Sequence, residues 1–206
     1  MDGQTLEKHL INLENIIKSS GEVLEGNCFY YHQSFTKFPE LFNKQCNLSS
    51  LGEQAKKICE IGFNAGHSAL LLLGNKNVKE ILFFDLGEHK YMKPCYDYIQ
   101  KVFLGTEMDF VVGDSRETLP KWFSEHSNQA ETFDLVHVDG GHLEDIYKSD
   151  VEVAKKLVKK GGCIIIDDTN IDYINKDVDD ILKTNLFEEV RILQTVGYQH
   201  RVIRKV

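Results

Sequence analysis

Short apolar runs recur at residues 57–61, 80–85, 108–112, 133–138 and 162–166. Each is bounded by polar or turn-forming residues and is too short to be a helix, so each reads as a strand. The stretches between them, 66–74, about 90–103, 116–126 and 143–160, have helical spacing or composition. Strands that alternate strictly with helices predict a parallel sheet covered on both faces. After a further helix near 173–184 the habit changes. Residues 187–195 and 198–205 are extended runs joined around Gly197, which predicts a closing hairpin and one antiparallel strand. The expectation is a doubly wound α/β sheet of seven strands with a reversed last strand.

The first fifty residues are of another kind. Leu6, Leu10, Leu13, Ile16 and Ile17 recur at helical spacing over 4–19, and Gly21 ends that helix. Residues 25–40 are irregular and aromatic, with Phe29, Tyr30, Tyr31, Phe35 and Phe38 ahead of Pro39. They fit a lid over a ligand or a helix pair on the domain edge. A short helix at 49–56 leads into the first strand. With no linker or repeat, residues 1–206 are expected to be one domain: a helical and aromatic lid segment over 1–50, then a core over 51–206.

Composition removes some function classes. Lys plus Arg number 24 against 32 Asp plus Glu, a net charge of −8. That argues against gripping nucleic-acid phosphates by general electrostatics. The five cysteines, Cys28, Cys46, Cys59, Cys95 and Cys163, have neither zinc-finger nor redox spacing, which suits free thiols in a reducing compartment. No apolar run is long enough to span a bilayer, and no signal-peptide block opens the chain. The expectation is a cytoplasmic protein without a membrane partner, with homo-oligomerisation left open.

In a doubly wound sheet, ligands gather beyond the C-terminal strand ends. The first strand ends on Glu60 and the loop Gly62-Phe63-Asn64-Ala65-Gly66, then Ser68 at a helix start. Glycine lets backbone come close to a ligand, and the helix N-terminus offers free N–H groups. The second ends on Asp85, 25 residues past Glu60, suited to ribose hydroxyls. The third gives Gly113-Asp114-Ser115, near an adenine edge, although Asp114 also fits a helix N-cap. The fourth gives Asp139-Gly140-Gly141-His142, and the fifth gives Asp167-Asp168-Thr169-Asn170. Any one of these could be a mere turn or cap; together they predict a nucleotide-type cofactor on one rim. Three carboxylates with open positions beside them also suit Mg²⁺. His137, inside a strand, reads as a core or packing histidine, and His67 as a residue that orients the glycine loop or borders the cofactor.

Over about residues 50–206 the chain resembles the class I S-adenosylmethionine-dependent methyltransferases, whose fold is Rossmann-like. The carriers are Glu60-Ile61-Gly62-Phe63-Asn64-Ala65-Gly66-His67-Ser68, Asp85 and the final hairpin. The loop is not Gly-x-Gly-x-x-Gly, which weighs against an NAD(P)-dependent oxidoreductase. A non-catalytic nucleotide-binding module has no evident need for the converging acids. Within the family, Asp139-Gly140-Gly141-His142 and Asp167-Asp168-Thr169 are similar to the metal-dependent small-molecule O-methyltransferases of the catechol and macrocin type. That resemblance implies S-adenosylmethionine held by Glu60, Gly62, Phe63, Asn64, Gly66, Ser68, Asp85, Asp114, Ser115 and Asp139. It implies Mg²⁺ or another divalent cation on Asp139, Asp167 and Asp168, with Asp139 and His142 catalytic and His142 the general base. The Asp-Asp pair and His142 point to a sugar hydroxyl over a catechol as acceptor.

Overall fold

The computed structural model describes residues 1–74 and 76–206. Helices α1 (Gly3–Ser20) and α2 (Phe42–Gln54) come first. The alternating part follows: β1 (Lys57–Ile61), α3 (His67–Leu72), β2 (Glu80–Asp85), α4 (Met92–Val102), β3 (Glu107–Val112), α5 (Ser115–Glu125), β4 (Phe133–Val138), α6 (Glu144–Leu157), β5 (Val158–Ile166) and α7 (Asp172–Lys183). The chain closes with β6 (Phe187–Glu189) and β7 (Arg201–Lys205). One seven-stranded sheet forms in the order β3-β2-β1-β4-β5-β7-β6. The first five strands are parallel, and β7 is antiparallel to both its neighbours. This is the doubly wound sheet with a reversed last strand that the alternation predicts.

Strand parity divides the apolar residues between two cores. Ile58, Ile81, Phe83, Leu135, Ile165 and Val202 pack under α1, α2, α3 and α4. Their neighbours Cys59, Leu82, Phe84, Val136, Ile164, Ile166 and Ile203 pack under α5, α6 and α7. Successive side chains of a strand point to opposite faces, so a strand that is apolar throughout needs a cover on each side. Full burial of each such side chain is worth about 1.5–3 kcal/mol. The N-terminal helix joins the first core through Leu10, Leu13 and Ile17. Asp2 caps it by accepting from the Thr5 N–H at 2.9 Å, and Gly21 ends it at φ 74°.

Three elements differ from expectation. The helix expected over 143–160 stops at Leu157, because Val158 turns extended and pairs with Phe133, so β5 begins there rather than at 162. The strand expected over 187–195 keeps only Phe187–Glu189. Beyond it, the backbone N–H of Leu193 donates to Asn47 Oδ1 at 3.0 Å, and its carbonyl accepts from Asn47 Nδ2 at 2.8 Å. A side chain of α2 thus satisfies backbone groups that a strand partner would otherwise take. Finally, the helix expected at 49–56 begins at Phe42, and its extra turns carry a residue of the candidate site.

Candidate active site

A cavity of about 1060 Å³ opens beyond the C-terminal ends of β1, β2, β3 and β4. The glycine loop, Asp85, Asp114, Ser115 and the Asp139–His142 segment line it, with Lys44 and Asp168. Residues of the aromatic segment, among them Glu25, Cys28, Tyr30 and His32, form the opposite wall.

At the glycine loop the backbones of β1 and β4 run almost into contact. Gly62 has φ 96°, and a Cβ there would lie 1.9 Å from the Asp139 carbonyl oxygen. The Gly62 N–H donates to Phe84 O at 2.8 Å, and the Asp139 N–H to Ile61 O at 2.9 Å, so three strand ends are tied together. Gly66, at φ 76°, turns the chain into α3; it does not line the cavity, and its missing Cβ leaves room for the Phe63 ring. Phe63 itself is buried in an edge-on cluster with Phe83 and Phe110. Asn64 holds φ 51°. Its N–H donates to Asp85 Oδ2 at 2.7 Å, its side-chain oxygen accepts from Tyr91 OH at 2.7 Å, and its amide nitrogen donates to the Glu25 and Gly26 carbonyls. One asparagine therefore fixes the loop, the acid after β2 and the aromatic wall to one another. The other Asp85 oxygen accepts from the Gly87 N–H at 2.8 Å. Each carboxylate oxygen keeps a further lone pair for a ligand hydroxyl. Ser68 lies in the first turn of α3 and lines the cavity. His67, also in the wall, is packed between Phe29 and Tyr30, and burial pushes its pKa down to about 4, so it is neutral.

Glu60 departs from its expected role in the cofactor site. It lies between Cys59 and Ile61, so parity turns it to the same face as Ile58. The register sets it opposite His137, and its Oε1 lies 2.9 Å from His137 Nδ1 with both side chains fully buried. Glu60 and His137 form a buried polar pair and neither lines the cavity. Asp114 takes the N-cap role as well as a place in the wall. Its carboxylate accepts from the Arg116 N–H at 2.9 Å and pairs with the Arg116 guanidinium, which holds its pKa below the usual range. Beside Ser115, the buried Asp150 of α6 has its pKa pushed up to about 7, first by burial.

Around β4 and β5 the acids converge. Ligating atoms of Asp139, His142 and Asp168 lie within 4.8 Å of one another, as do those of His137, Asp139 and Asp167. Burial, then the charge of Asp167, raises the Asp139 pKa well above a normal carboxylate. His142 Nε2 is 2.9 Å from Asp168 Oδ2, and that hydrogen bond raises the His142 pKa. Asp168 has φ 54°, a left-handed conformation that costs a non-glycine residue about 1–2 kcal/mol. Such strain clusters at functional sites. Asp167, expected as a third metal ligand, lies in the second of these groups, with His137 and Asp139, and is also paired with Lys44, whose Nζ lies 2.5 Å from its Oδ2. The ammonium holds the Asp167 pKa down against burial. Burial disfavours the Lys44 charge too, but Asp167 and Asp139 outweigh it and raise its pKa. Sequence reasoning missed Lys44. The spacing 44-47-48-51-52, a lysine on a helix's inner face, was the signal available.

A reversed seventh strand, a glycine loop after β1, an acid after β2 and a cofactor-sized cavity at that rim define the class I S-adenosylmethionine-dependent methyltransferase fold. The sequence pattern of a family described as "Methyltransferase domain" matches residues 59–169, and the chain belongs to that family. No curated protein matches it. Among solved structures it is similar to the O-methyltransferase from Bacillus cereus in complex with SAH, at TM-score 0.66 and 19% identity over 97% of this chain and 90% of that one. It is also similar to CalS11, a TDP-rhamnose 3′-O-methyltransferase of calicheamicin biosynthesis, at TM-score 0.61 and 18% identity over 99% and 96% of the two chains. The N-methyltransferase NodS from Bradyrhizobium japonicum WM9, in complex with SAH, matches at TM-score 0.63 and 15% identity over 93% and 98%. Oxygen and nitrogen acceptors thus share this fold, and the choice between them rests on the side chains at the rim.

Proposed function

We propose that the chain transfers a methyl group from S-adenosylmethionine to a hydroxyl of a small molecule or sugar that carries neighbouring hydroxyls. The observation that carries this reading is the placing of Asp139, His142 and Asp168 on the same cavity as the glycine loop and Asp85. S-adenosylmethionine supplies the methyl as a sulfonium, a leaving group that needs alignment more than activation. In this reading Asp85 accepts from ribose hydroxyls, Ser68 and the loop N–H groups face the methionine end, and Asp114 and Ser115 border the adenine.

The donor set suits a hard divalent cation. Asp139 and Asp168 offer carboxylate oxygens within 4.8 Å of each other, and His142 lies beside them with a ring nitrogen that can take a proton. Burial first, and the Asp167 charge second, raise the Asp139 pKa, and a cation beside it would favour the ionised form. A divalent ion held there would bind adjacent hydroxyls and acidify one of them. In this reading His142 takes the released proton, a role that its exposure and its hydrogen bond to Asp168 support. Residues 25–33 would act as the lid. The acid pair, the histidine and the sugar named for CalS11 are what support this acceptor class.

Calorimetry with S-adenosylhomocysteine and with NAD tests the cofactor half: heat with the first and none with the second is expected, and the reverse would overturn it. Turnover of a hydroxyl acceptor should vanish in chelator and return with Mg²⁺. Full turnover in chelator would remove the cation from the reading.

A further inference from the structure

Helix α2 turns Lys44, Asn47, Leu48 and Gly52 inward. Leu48 joins the core, and Asn47 serves the backbone at Leu193. Lys44 does neither. It is 5% exposed, lines the cavity, and points its ammonium at Asp167 with Asp139 also nearby. Burying an ammonium and a carboxylate carries a desolvation cost of several kcal/mol per ion, and an apolar side chain would complete the helix face without it. Packing therefore gives no reason for lysine here, whereas the charge of the cluster does. Asp139, Asp167 and Asp168 together carry three negative charges when ionised, and Lys44 reduces that to two, the charge of one divalent ion.

The cluster also has two poles that share Asp139. The inner one joins it to the buried His137 and Asp167; the outer one joins it to His142 and Asp168, which face the cavity. Lys44 stands at the inner pole. Building on the cation-assisted reading above, we propose that Lys44 is a tethered cation that fills the inner pole and withholds Asp167 from metal ligation. A divalent ion is then confined to Asp139 and Asp168, with His142 beside it as the base. The ion has fewer charged ligands than three free aspartates would give it, so it binds more weakly and exchanges. Its place at the outer pole keeps it against the cavity, where acceptor hydroxyls can reach it. Lys44 is a positioning residue in this scheme.

The test is Mn²⁺ binding, followed by electron paramagnetic resonance on the intact protein, with S-adenosylhomocysteine affinity measured in parallel. Lys44→Met frees Asp167 and should tighten Mn²⁺ binding by about tenfold or more through one added carboxylate ligand. The double variant Lys44→Met/Asp167→Asn should lose that gain. If Lys44→Met binds Mn²⁺ no more tightly than the wild type while retaining cofactor affinity, the proposal is overturned. If only the variant binds Mn²⁺, Lys44 blocks the cation altogether, and both its positioning role and cation assistance in the native enzyme fall; if neither binds, both fall as well. Should Lys44→Met not fold, wild-type crystals soaked in Mn²⁺ decide. An anomalous peak bonded to Asp139 and Asp168 supports the proposal, and one bonded to Asp167 with Lys44 displaced overturns it.

Discussion

Gly62→Ala probes the tightest surroundings of any glycine in the chain. Two costs can be separated. A φ of 96° is unfavourable for alanine by about 1–2 kcal/mol. The new Cβ would also start 1.9 Å from the Asp139 carbonyl oxygen, so the loops after β1 and β4 must part by roughly 1 Å. Forced overpacking of this kind costs about 1–3 kcal/mol, which gives a total of roughly 2–5 kcal/mol. For a chain of this size that is a drop of about 5–20 °C in melting temperature. The same movement separates the glycine loop from the acid cluster, so affinity for S-adenosylhomocysteine should fall about tenfold or more. Gly161→Ala is the control. Gly161 also has a positive φ, 77°, but a Cβ there meets nothing within 4 Å. It should show only the backbone cost, with cofactor affinity intact. Melting curves and calorimetry on both variants are sufficient. A Gly62→Ala protein that melts no lower than the control and binds the cofactor product normally would refute the close-approach argument.

His142→Gln keeps a polar side chain beside Asp168 but removes the base; turnover of an accepted hydroxyl substrate should fall by about 10²–10⁴-fold. Its affinity for S-adenosylhomocysteine should not change, and unaltered turnover would place the base elsewhere. Asp150 gives a pH signature in stability rather than rate. Burial raises its pKa from 3.8 to about 7 in the fold, with the Asp114 charge adding to the shift and Ser115 opposing it. The folded state therefore holds a proton that the unfolded chain releases, and stability should fall as pH rises from about 4 to about 7, by up to roughly 4 kcal/mol. Asp150→Asn should abolish that slope in melting curves taken between those limits; parallel curves for variant and wild type would count against it.

The sheet was legible because its strands are buried on both faces and read as apolar runs, while the acids at their ends interrupt the pattern at the rim. Asp85, Asp139, His142 and Asp168 were found that way, and all of them line the cavity. Glu60 was misplaced for a different reason. Motif position says that an acid ends the strand, but only parity and the register with β4 turn it toward His137. The start of α2 was missed because Lys44 and Asn47 put polar groups on its inner face and so broke the apolar period. The pairing of Asp167 with Lys44 joins residues more than a hundred positions apart, and no local spacing encodes it. The short β6 has the same origin, since Asn47 of α2 serves backbone at Leu193 in place of a strand.

The carbon-13 resonance of S-adenosylmethionine labelled at its methyl, recorded on the protein as Mn²⁺ is added, reports whether donor and cation share one rim. A sulfonium methyl and a divalent ion held on one rim require strong paramagnetic broadening of that signal, lost when Asp168 is replaced by asparagine. A methyl signal that stays sharp with both ligands demonstrably bound would show that the two sites are apart and would contradict cation-assisted transfer.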